Sequence, residues 1–346
     1  MPLPTDIAGL TLAEFAAARQ TSPRAVRADY GRALRTPGAL ALPRLTRSEA
    51  SDGVVKFCLA VPANDGGPDL ETESVIIPMR GHRGVQWYTL CVSSQVGCRM
   101  GCTFCETARM GLVRDLTAAE IVAQYLVARD LMTNGAASGQ PYRYFQSGIS
   151  DIVFMGMGEP LDNFDAVTQA IRVLGEPNGV NFPQAQITVS TVGRVDGLRR
   201  LAALEWPNLR IAISLNAPTD ALRRSLMPVN RAMPLAELRA ALDAYPMARK
   251  GRFVLEYVLL RDVNDSPAHA RAVAAWSEGL RCVVNLIPYN PQRDAAYAPP
   301  DEATIDRFAA EIRHCGVFVK RRRTKGRDLL GACGQLGNGA PRSDHG

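Results

Sequence analysis

Short apolar runs alternate with amphipathic stretches through most of the chain. Seven runs have the composition of buried strands, and they lie at 87–91, 151–156, 186–190, 209–214, 253–259, 282–287 and 316–321. Helix-start signals fall between them: Thr117 and Glu120 form a capping box, and further helices begin near Pro234 and Asp301. This alternation predicts parallel βαβ units, and six or more of them predict an α/β fold built as a full or partial (β/α) barrel.

The segment before these strands has a different pattern. Capping signals at Thr11 and at Ser22–Pro23 predict short helices. Two apolar runs at 53–61 and 73–77, separated by a turn-rich stretch, predict a β-hairpin. We therefore expect a short Arg-rich helical region over 1–50, a hairpin extension over 51–85, a barrel over 86–336 and a flexible tail over 337–346.

Composition narrows the class of protein. The 346 residues are 47% hydrophobic and 21% charged, which excludes a disordered chain, a collagen-like chain and a small disulfide scaffold. No apolar run approaches the roughly 18 residues of a membrane span, and Met1–Asp6 lacks the pattern of a signal peptide. We expect a cytoplasmic location without membrane contact. The eight cysteines should then be reduced and free for metal or redox chemistry.

The net charge of +6 is mild, but the positive residues cluster. The first fifty residues hold seven arginines against four acids, and Lys320–Arg327 carries six positive charges in eight residues. Two interpretations stay open for such runs: a solvated edge of the fold, or a surface that binds phosphate groups of a nucleic acid.

In (β/α) barrels the reactive groups collect at the carboxyl ends of the strands. The unusual segments of this chain follow six of the predicted strands: 98–105, 156–160, 190–193, 214–218, 289–291 and 331–335. We therefore expect one site at that end of the barrel.

The strongest chemical signal is Cys98-x3-Cys102-x2-Cys105. A structural zinc site requires four ligands. The nearest candidate for a fourth ligand is Cys91, and the four histidines show no zinc-finger spacing. Three thiolates suit a [4Fe–4S] cluster that keeps one iron open, because such clusters normally take four cysteines. The spacing favours the cluster and leaves zinc as the alternative.

With Phe104 before its last cysteine, this motif resembles that of the radical S-adenosylmethionine (SAM) superfamily. More narrowly, the chain resembles the RlmN/Cfr family of ribosomal RNA adenine methyltransferases, from about Glu73 to Leu336. The similar segments are CVSSQVGC (91–98), GMGEPL (156–161), LMPVN (226–230), NLIPYNP (285–291) and ACGQL (332–336).

The resemblance implies a cofactor site. Cys98, Cys102 and Cys105 would hold a [4Fe–4S] cluster whose open iron binds the amino and carboxylate groups of SAM. Gly158 and Glu159 would meet the SAM amino group. The rest of the SAM pocket would be lined by Ser190, Ser214, Leu215, Asn216 and Asn290.

The resemblance also implies a mechanism that uses two SAM molecules per turnover. Cys333 would accept a methyl group from the first, and a radical derived from the second would activate that methyl group for addition to an adenine carbon. Cys91 would resolve the adduct by forming a disulfide with Cys333, and Glu73 would be the proton acceptor. Radical chemistry suits this target, because an aromatic C–H carbon of adenine is too weak a nucleophile for direct methyl transfer; the cofactor supplies the chemistry and the protein the positioning.

The expected substrate is C2 of an adenosine in 23S rRNA, with tRNA as a further candidate, and the expected electron donor is a protein such as flavodoxin. A monomer is the default. The alternatives are methylation at C8, as in the Cfr branch, another RNA, or a non-catalytic RNA- or zinc-binding protein. Asn216 stands where the family usually has His, and region 1–50 is shorter than the family's helical RNA-binding domain. We interpret Cys58, Cys282 and Cys315 as core residues.

Overall fold

The computed structural model describes residues 5–81, 86–133, 148–292, 295–322 and 325–337. Within them, ten strands form one sheet in the order β1-β2-β3-β4-β7-β8-β9-β10-β11-β12, and β5 pairs with β6. The strands are β1 Leu45–Ser51, β2 Val54–Val61, β3 Leu70–Arg80, β4 Gln86–Cys91, β5 Gln95–Cys98, β6 Gly111–Asp115, β7 Ile149–Phe154, β8 Ile187–Thr191, β9 Arg210–Ser214, β10 Phe253–Leu259, β11 Cys282–Pro288 and β12 Val319–Arg321.

The helices of the described residues flank these strands. They are α1 Leu12–Ala18, α2 Pro23–Arg35, α3 Glu106–Arg109, α4 Ala118–Thr133, α5 Phe164–Gly175, α6 Val195–Ala202, α7 Asp220–Leu226, α8 Leu235–Asp243, α9 Pro267–Ser277 and α10 Glu302–His314, with 3-10 turns at Thr5–Gly9, Gln184–Gln186 and Pro228–Arg231. None of the helices described is both long and apolar enough to cross a membrane.

Seven neighbouring strands, β4 and β7 to β12, run parallel. They match the seven predicted strands, with ends shifted by up to three residues. Apolar side chains fill them; β9, for example, buries Ile211, Ala212 and Ile213 completely. These parallel strands with their helices confirm the predicted α/β fold. The barrel is partial, because the sheet is open and β12 forms one of its edges.

The predicted hairpin is also confirmed. β2 and β3 pair antiparallel, with Cys58 opposite Glu73, and β3 continues onto β4 with Val75 opposite Cys91. The sheet therefore runs without a break from the hairpin into the barrel. β1 adds a strand at residues 45–51, most of which were expected in the helical region; its sequence LTRSEAS is polar and mostly exposed, so it carries no apolar signal.

The first helices pack against the barrel's own helices. Both predicted caps are present, at Thr11 and Ser22. The Tyr30 hydroxyl donates to Leu10 O at 2.8 Å, and Arg129 on α4 donates to Leu34 O at 2.6 Å. Apolar residues of this region, including Phe15 and Leu34, belong to the same core as the sheet. The expected tail lies outside the described residues from 338 onward.

The positive residues of the run at 320–327 make different contacts. Arg321 donates to Glu302 at 2.6 Å and to Asp306 at 3.4 Å on α10, whereas Arg322 turns into the interior. Lys325 donates to the carbonyl of Pro78. Residues 323–324 lie outside the described part. The described residues of the run thus point in several directions instead of forming one solvated strip.

Candidate active site

A cavity of about 150 Å³ opens at the carboxyl ends of the parallel strands, the end predicted for the chemistry. The fold brings nine of the predicted residues to its wall: Cys98, Cys102, Cys105, Gly158, Glu159, Ser190, Ser214, Asn216 and Cys333. They come from five separate segments of the chain. The other four, Glu73, Cys91, Leu215 and Asn290, lie outside the lining.

The three cysteines of the motif sit on one loop. Cys98 ends β5, Cys105 caps α3, and the Cys105 N–H donates to Cys102 O at 3.1 Å. The loop packs on an apolar cluster of its own, which includes Met100, Phe104, Leu226, Met227 and Leu260. Burial raises the pKa of all three thiols, that of Cys98 to about 12, so binding a metal here must displace protons.

Glu159 is held by backbone donors. Its carboxylate accepts from Val192 N at 2.8 Å and Leu161 N at 3.1 Å, and burial raises its pKa to about 7. Gly158 has φ +98°, and a Cβ there would lie 2.6 Å from the Gln95 side chain, so the turn requires glycine. The arrangement offers a fixed, buried carboxylate that a cationic amino group would complement.

Asn216 occupies a left-handed turn. Its φ is +56°, a region that Asn tolerates better than most residues. Its Oδ1 accepts from Val258 N at 2.9 Å, and its Nδ2 contacts Met227 Sδ at 3.3 Å. Leu215 beside it is fully buried and donates its N–H to Glu256 O at 3.0 Å. Asn216 thus shapes the turn as well as lining the cavity.

The loop of Cys333 is tied to the loop of the three cysteines. Gly334 O accepts from Glu106 N at 2.8 Å and from Gln292 Nε2 at 3.1 Å, and the same Gln292 amide donates to Phe104 O at 2.9 Å. Asn290 Nδ2 donates to Cys333 O at 3.2 Å, so Asn290 holds this loop through its backbone. Cys333 itself is partly exposed in the cavity.

Cys91 lies at the end of β4, only 5% exposed. Burial and the negative charge of a Cys333 thiolate raise the pKa of Cys91 to about 12, and the Arg322 guanidinium opposes this rise. The two sulfurs are therefore close enough to interact electrostatically, and both are free thiols in this structure.

Glu73 is buried on β3. Its carboxylate pairs with Lys56 Nζ at 2.9 Å and accepts from Gly337 N at 3.1 Å, next to the C-terminal segment that carries Cys333. Its neighbour Glu71 is more exposed and pairs with Arg47 at 3.3 Å. The two carboxylates are thus distinguished by burial, which the alternation of the strand does not reveal.

Comparisons with known proteins agree with this geometry. The model of the radical SAM superfamily matches residues 92–272. The chain is 44% identical to the dual-specificity RNA methyltransferase RlmN of Phenylobacterium zucineum, over 86% of this chain and 74% of that protein. It is 42% identical to a probable RlmN of Protochlamydia amoebophila, over 78% of this chain and 70% of that protein. The crystal structure of a radical SAM methyltransferase from Sphaerobacter thermophilus superposes with a TM-score of 0.82 at 36% identity, over 96% of this chain and 99% of that one.

The chain belongs to the RlmN family of radical SAM RNA methyltransferases. Radical SAM enzymes use a [4Fe–4S] cluster and SAM, and the lining of the cavity offers three thiols for the first and a buried carboxylate for the amino group of the second. Among the described residues, no three His, Cys, Asp or Glu side chains converge as a single metal ion requires. Cys91, the nearest fourth ligand of the zinc alternative, lies outside the lining of the cavity.

Three polar residues of this RlmN-type site were missed by the sequence reasoning. Arg322 and Glu256 line the cavity, and Gln292 joins the two cysteine loops. Arg322 and Gln292 follow the carboxyl ends of β12 and β11, so their position after a predicted strand could have indicated that they belong to the site. For Arg322, the charged run around it obscured this signal.

Proposed function

We propose that the chain methylates C2 of an adenosine in 23S rRNA through a methyl-Cys333 intermediate that Cys91 resolves. The observation that carries the proposal is the position of Cys333, which lines one cavity with Cys98, Cys102, Cys105 and Glu159. A methyl acceptor on a loop beside both cofactor sites can meet SAM twice without a large rearrangement. tRNA is a second candidate substrate.

The protein's groups have distinct roles in this mechanism. The Cys333 thiolate attacks the methyl carbon of SAM; the bond from that carbon to the sulfonium sulfur breaks, which leaves S-methylcysteine and S-adenosylhomocysteine. Cys98, Cys102 and Cys105 would hold a [4Fe–4S] cluster, which, reduced by an external donor such as a flavodoxin, would supply the electron for cleaving a second SAM to the radical that activates this methyl group. Glu159 orients SAM through its amino group, and Ser190 and Ser214 line the remaining wall.

Release of the product falls to Cys91. After the new C–C bond has formed, the ring carbon loses its proton and the ring radical returns one electron to the external donor that was oxidised during SAM cleavage. The Cys91 thiolate then attacks the Cys333 sulfur. The C–S bond breaks, its electron pair passes to the methylene carbon, and that carbon takes up a proton. We assign the acceptance of the ring proton to Glu73, which is joined to the Cys333 segment through Gly337 N. A cytoplasmic monomer is the working form that we propose.

Mass spectrometry of digested RNA tests the proposal. The protein is reconstituted without oxygen and given methyl-deuterated SAM, a reductant, and 23S rRNA or tRNA from a strain that lacks the endogenous enzyme. Labelled 2-methyladenosine is the expected product, and Cys333→Ser should abolish it. Labelled 8-methyladenosine would move the chain to the C8 alternative, and methylated Cys333 without a modified nucleoside would reject both RNA substrates.

A further inference from the structure

A fully buried arginine lies behind the wall of the cavity. Arg223 is in the middle of α7, and among the described residues its guanidinium donates hydrogen bonds to four uncharged oxygens. Nε donates to Leu215 O at 3.1 Å, Nη1 to Asn230 Oδ1 at 2.8 Å, and Nη2 to Ser214 O at 3.2 Å and to Val192 O. A buried cation is costly unless such bonds satisfy it, and bonds from a charged donor are strong. Arg223 therefore holds three separate segments of the chain in place.

Two of these acceptors belong to the wall of the cavity. Val192 directly follows β8, Ser214 ends β9, and both line the cavity. The Val192 N–H donates to the Glu159 carboxylate at 2.8 Å, and its carbonyl accepts from Arg223. The backbone that positions Glu159 and Ser214 thus depends on a side chain that is not itself part of the lining.

The end of α7 meets the loop of the three cysteines. Leu226 is the last residue of α7, and its carbonyl accepts from Thr103 N at 3.0 Å within that loop. Asn230, the acceptor of Arg223 Nη1, also donates to Asp220 Oδ1 at 2.8 Å and so joins the turn after α7 to its start. These contacts use both ends of the LMPVN segment, to which the proposed mechanism gives no role.

A glycine leaves room for the guanidinium at the end of β8. Gly193 has φ +100°, and a Cβ there would lie 3.3 Å from Arg223 Nη2 and 3.1 Å from Leu238 Cδ2. Both the backbone conformation and the space therefore favour glycine directly after Val192. The turn that presents Val192 to Glu159 is built around the arginine.

We propose that Arg223 is a positioning residue that fixes the SAM-facing wall of the cavity relative to the loop of the three cysteines. Its planar fork holds Val192, Ser214 and Asn230 at once, which the single ammonium group of a lysine cannot do. Because small displacements of positioning groups weaken the productive binding of a substrate, we expect the effect on SAM. The inference rests on the proposed function only for the contact of Glu159 with SAM.

The test compares Arg223→Lys with Arg129→Lys as a matched control. Arg129 is a second buried arginine, which donates to Leu34 O, pairs with Asp130 and lies outside the lining. In proteins of wild-type iron and sulfide content, SAM is titrated against the reduced cluster and followed by the change in the EPR spectrum. We expect Arg223→Lys to need about tenfold more SAM. Arg129→Lys should match the wild type, which separates positioning from a general loss of stability.

Hydrogen exchange of the cluster-free protein gives a second readout, which needs no cofactor. The amides of residues 190–194 and 213–217 should exchange faster in Arg223→Lys than in the wild type and in Arg129→Lys. Wild-type SAM affinity in Arg223→Lys would overturn the inference, and so would an equal loss of affinity in both variants.

If Arg223→Lys does not fold or load the cluster, Asn230→Ala takes its place. This variant removes one of the four acceptors, so SAM binding should weaken by about threefold, and wild-type affinity would again overturn the inference.

Glu159→Gln distinguishes this inference from the proposed function, and the assay contains no RNA. Weak SAM binding by Arg223→Lys together with wild-type binding by Glu159→Gln would uphold the role of Arg223 and reject the proposed contact of Glu159 with SAM. Weak binding by Glu159→Gln alone would support that contact and overturn the role of Arg223.

Discussion

Glu159 shows how one buried residue can be prepared for a cationic ligand. Two backbone N–H groups hold its carboxylate, yet burial outweighs them and raises its pKa to about 7. The free site therefore favours the neutral acid below pH 7. The ammonium group of SAM would add the missing positive charge and favour the carboxylate.

This predicts a pH dependence of stability that is specific to Glu159. A pKa that is higher in the folded protein than its usual value of 4.5 favours folding most at low pH, and this contribution disappears as the pH rises through 7. The free energy of unfolding of the cluster-free protein should lose about 3 kcal/mol from this group, most of it between pH 5 and pH 7. Urea denaturation at successive pH values measures it.

Glu159→Gln is the comparison, because Gln does not titrate. Its free energy of unfolding should change less between pH 5 and pH 7, and the difference from the wild type isolates Glu159 from other titrating groups. Parallel curves for the two proteins would contradict the assigned pKa. The same carboxylate predicts tighter SAM binding by the wild type at pH 8 than at pH 6.

Individual residues differ in how far the sequence predicts them. Cys98, Cys102 and Cys105 are close in the chain, so spacing alone identified them as one site. Glu159 and Cys333 were assigned from the family's motifs. Arg322 and Gln292 act across long separations: Gln292 meets Phe104, 188 positions away. No local pattern encodes such a contact, which exists only once the barrel has brought the ends of its strands together.

At the level of elements, the segment 330–337 is anchored at both sides of Cys333. Upstream, Leu330 O accepts from Lys56 Nζ at 3.2 Å; downstream, Gly337 N donates to Glu73, and Leu336 O accepts from Thr107 at 2.7 Å. Gln292 fixes the middle through Gly334. These bonds restrict where the Cys333 sulfur can go, which suits the two successive encounters that the proposed mechanism assigns to it.

Gln292→Ala should loosen this segment while leaving the cluster in place. The substitution takes one donor from the buried carbonyls of Phe104 and Gly334, and a lost buried partner costs roughly 1–3 kcal/mol. We expect faster hydrogen exchange over residues 331–336 and a smaller fraction of methylated Cys333, both seen by mass spectrometry. Gln184→Ala, on a partly exposed 3-10 turn, serves as the control. Unchanged exchange in Gln292→Ala would show that the other anchors suffice.

The elements themselves were predictable where burial left a clear signal. All seven parallel strands appear as apolar runs, because such strands are covered on both faces. β1 was not predicted because it is exposed, and β5 and β6 were not predicted because their sequences, QVGC and GLVRD, mix apolar and polar residues. The short β5 nevertheless positions Cys98, so the weakest secondary-structure signal belongs to an element of the site.

At the scale of the whole molecule, the Arg-rich first helices are part of the barrel's packing. α2 ends beside the loop that precedes β8, where Arg35 donates to Asn178 O at 2.9 Å. That loop lies at the amino ends of the strands. At about 1.5 Å per residue, the 13 residues of α2 span roughly 20 Å, so its first turn lies well away from that loop. Arg24 and Arg27 are exposed on this part of α2.

We therefore predict that Arg24→Gln combined with Arg27→Gln weakens RNA binding and leaves stability unchanged. Each lost phosphate contact should reduce the slope of log affinity against log salt by about 0.7–0.9, so the pair should reduce it by up to about two. The control is Arg249→Gln with Lys250→Gln, an exposed pair just before β10 and hence at the amino ends of the strands, away from the cavity. Filter binding of 23S rRNA fragments at several salt concentrations measures both. Equal losses in the two double variants would mean that net charge alone attracts the RNA. A loss confined to the α2 variant would mean that the short helical region contacts the RNA, although the same helices also complete the core.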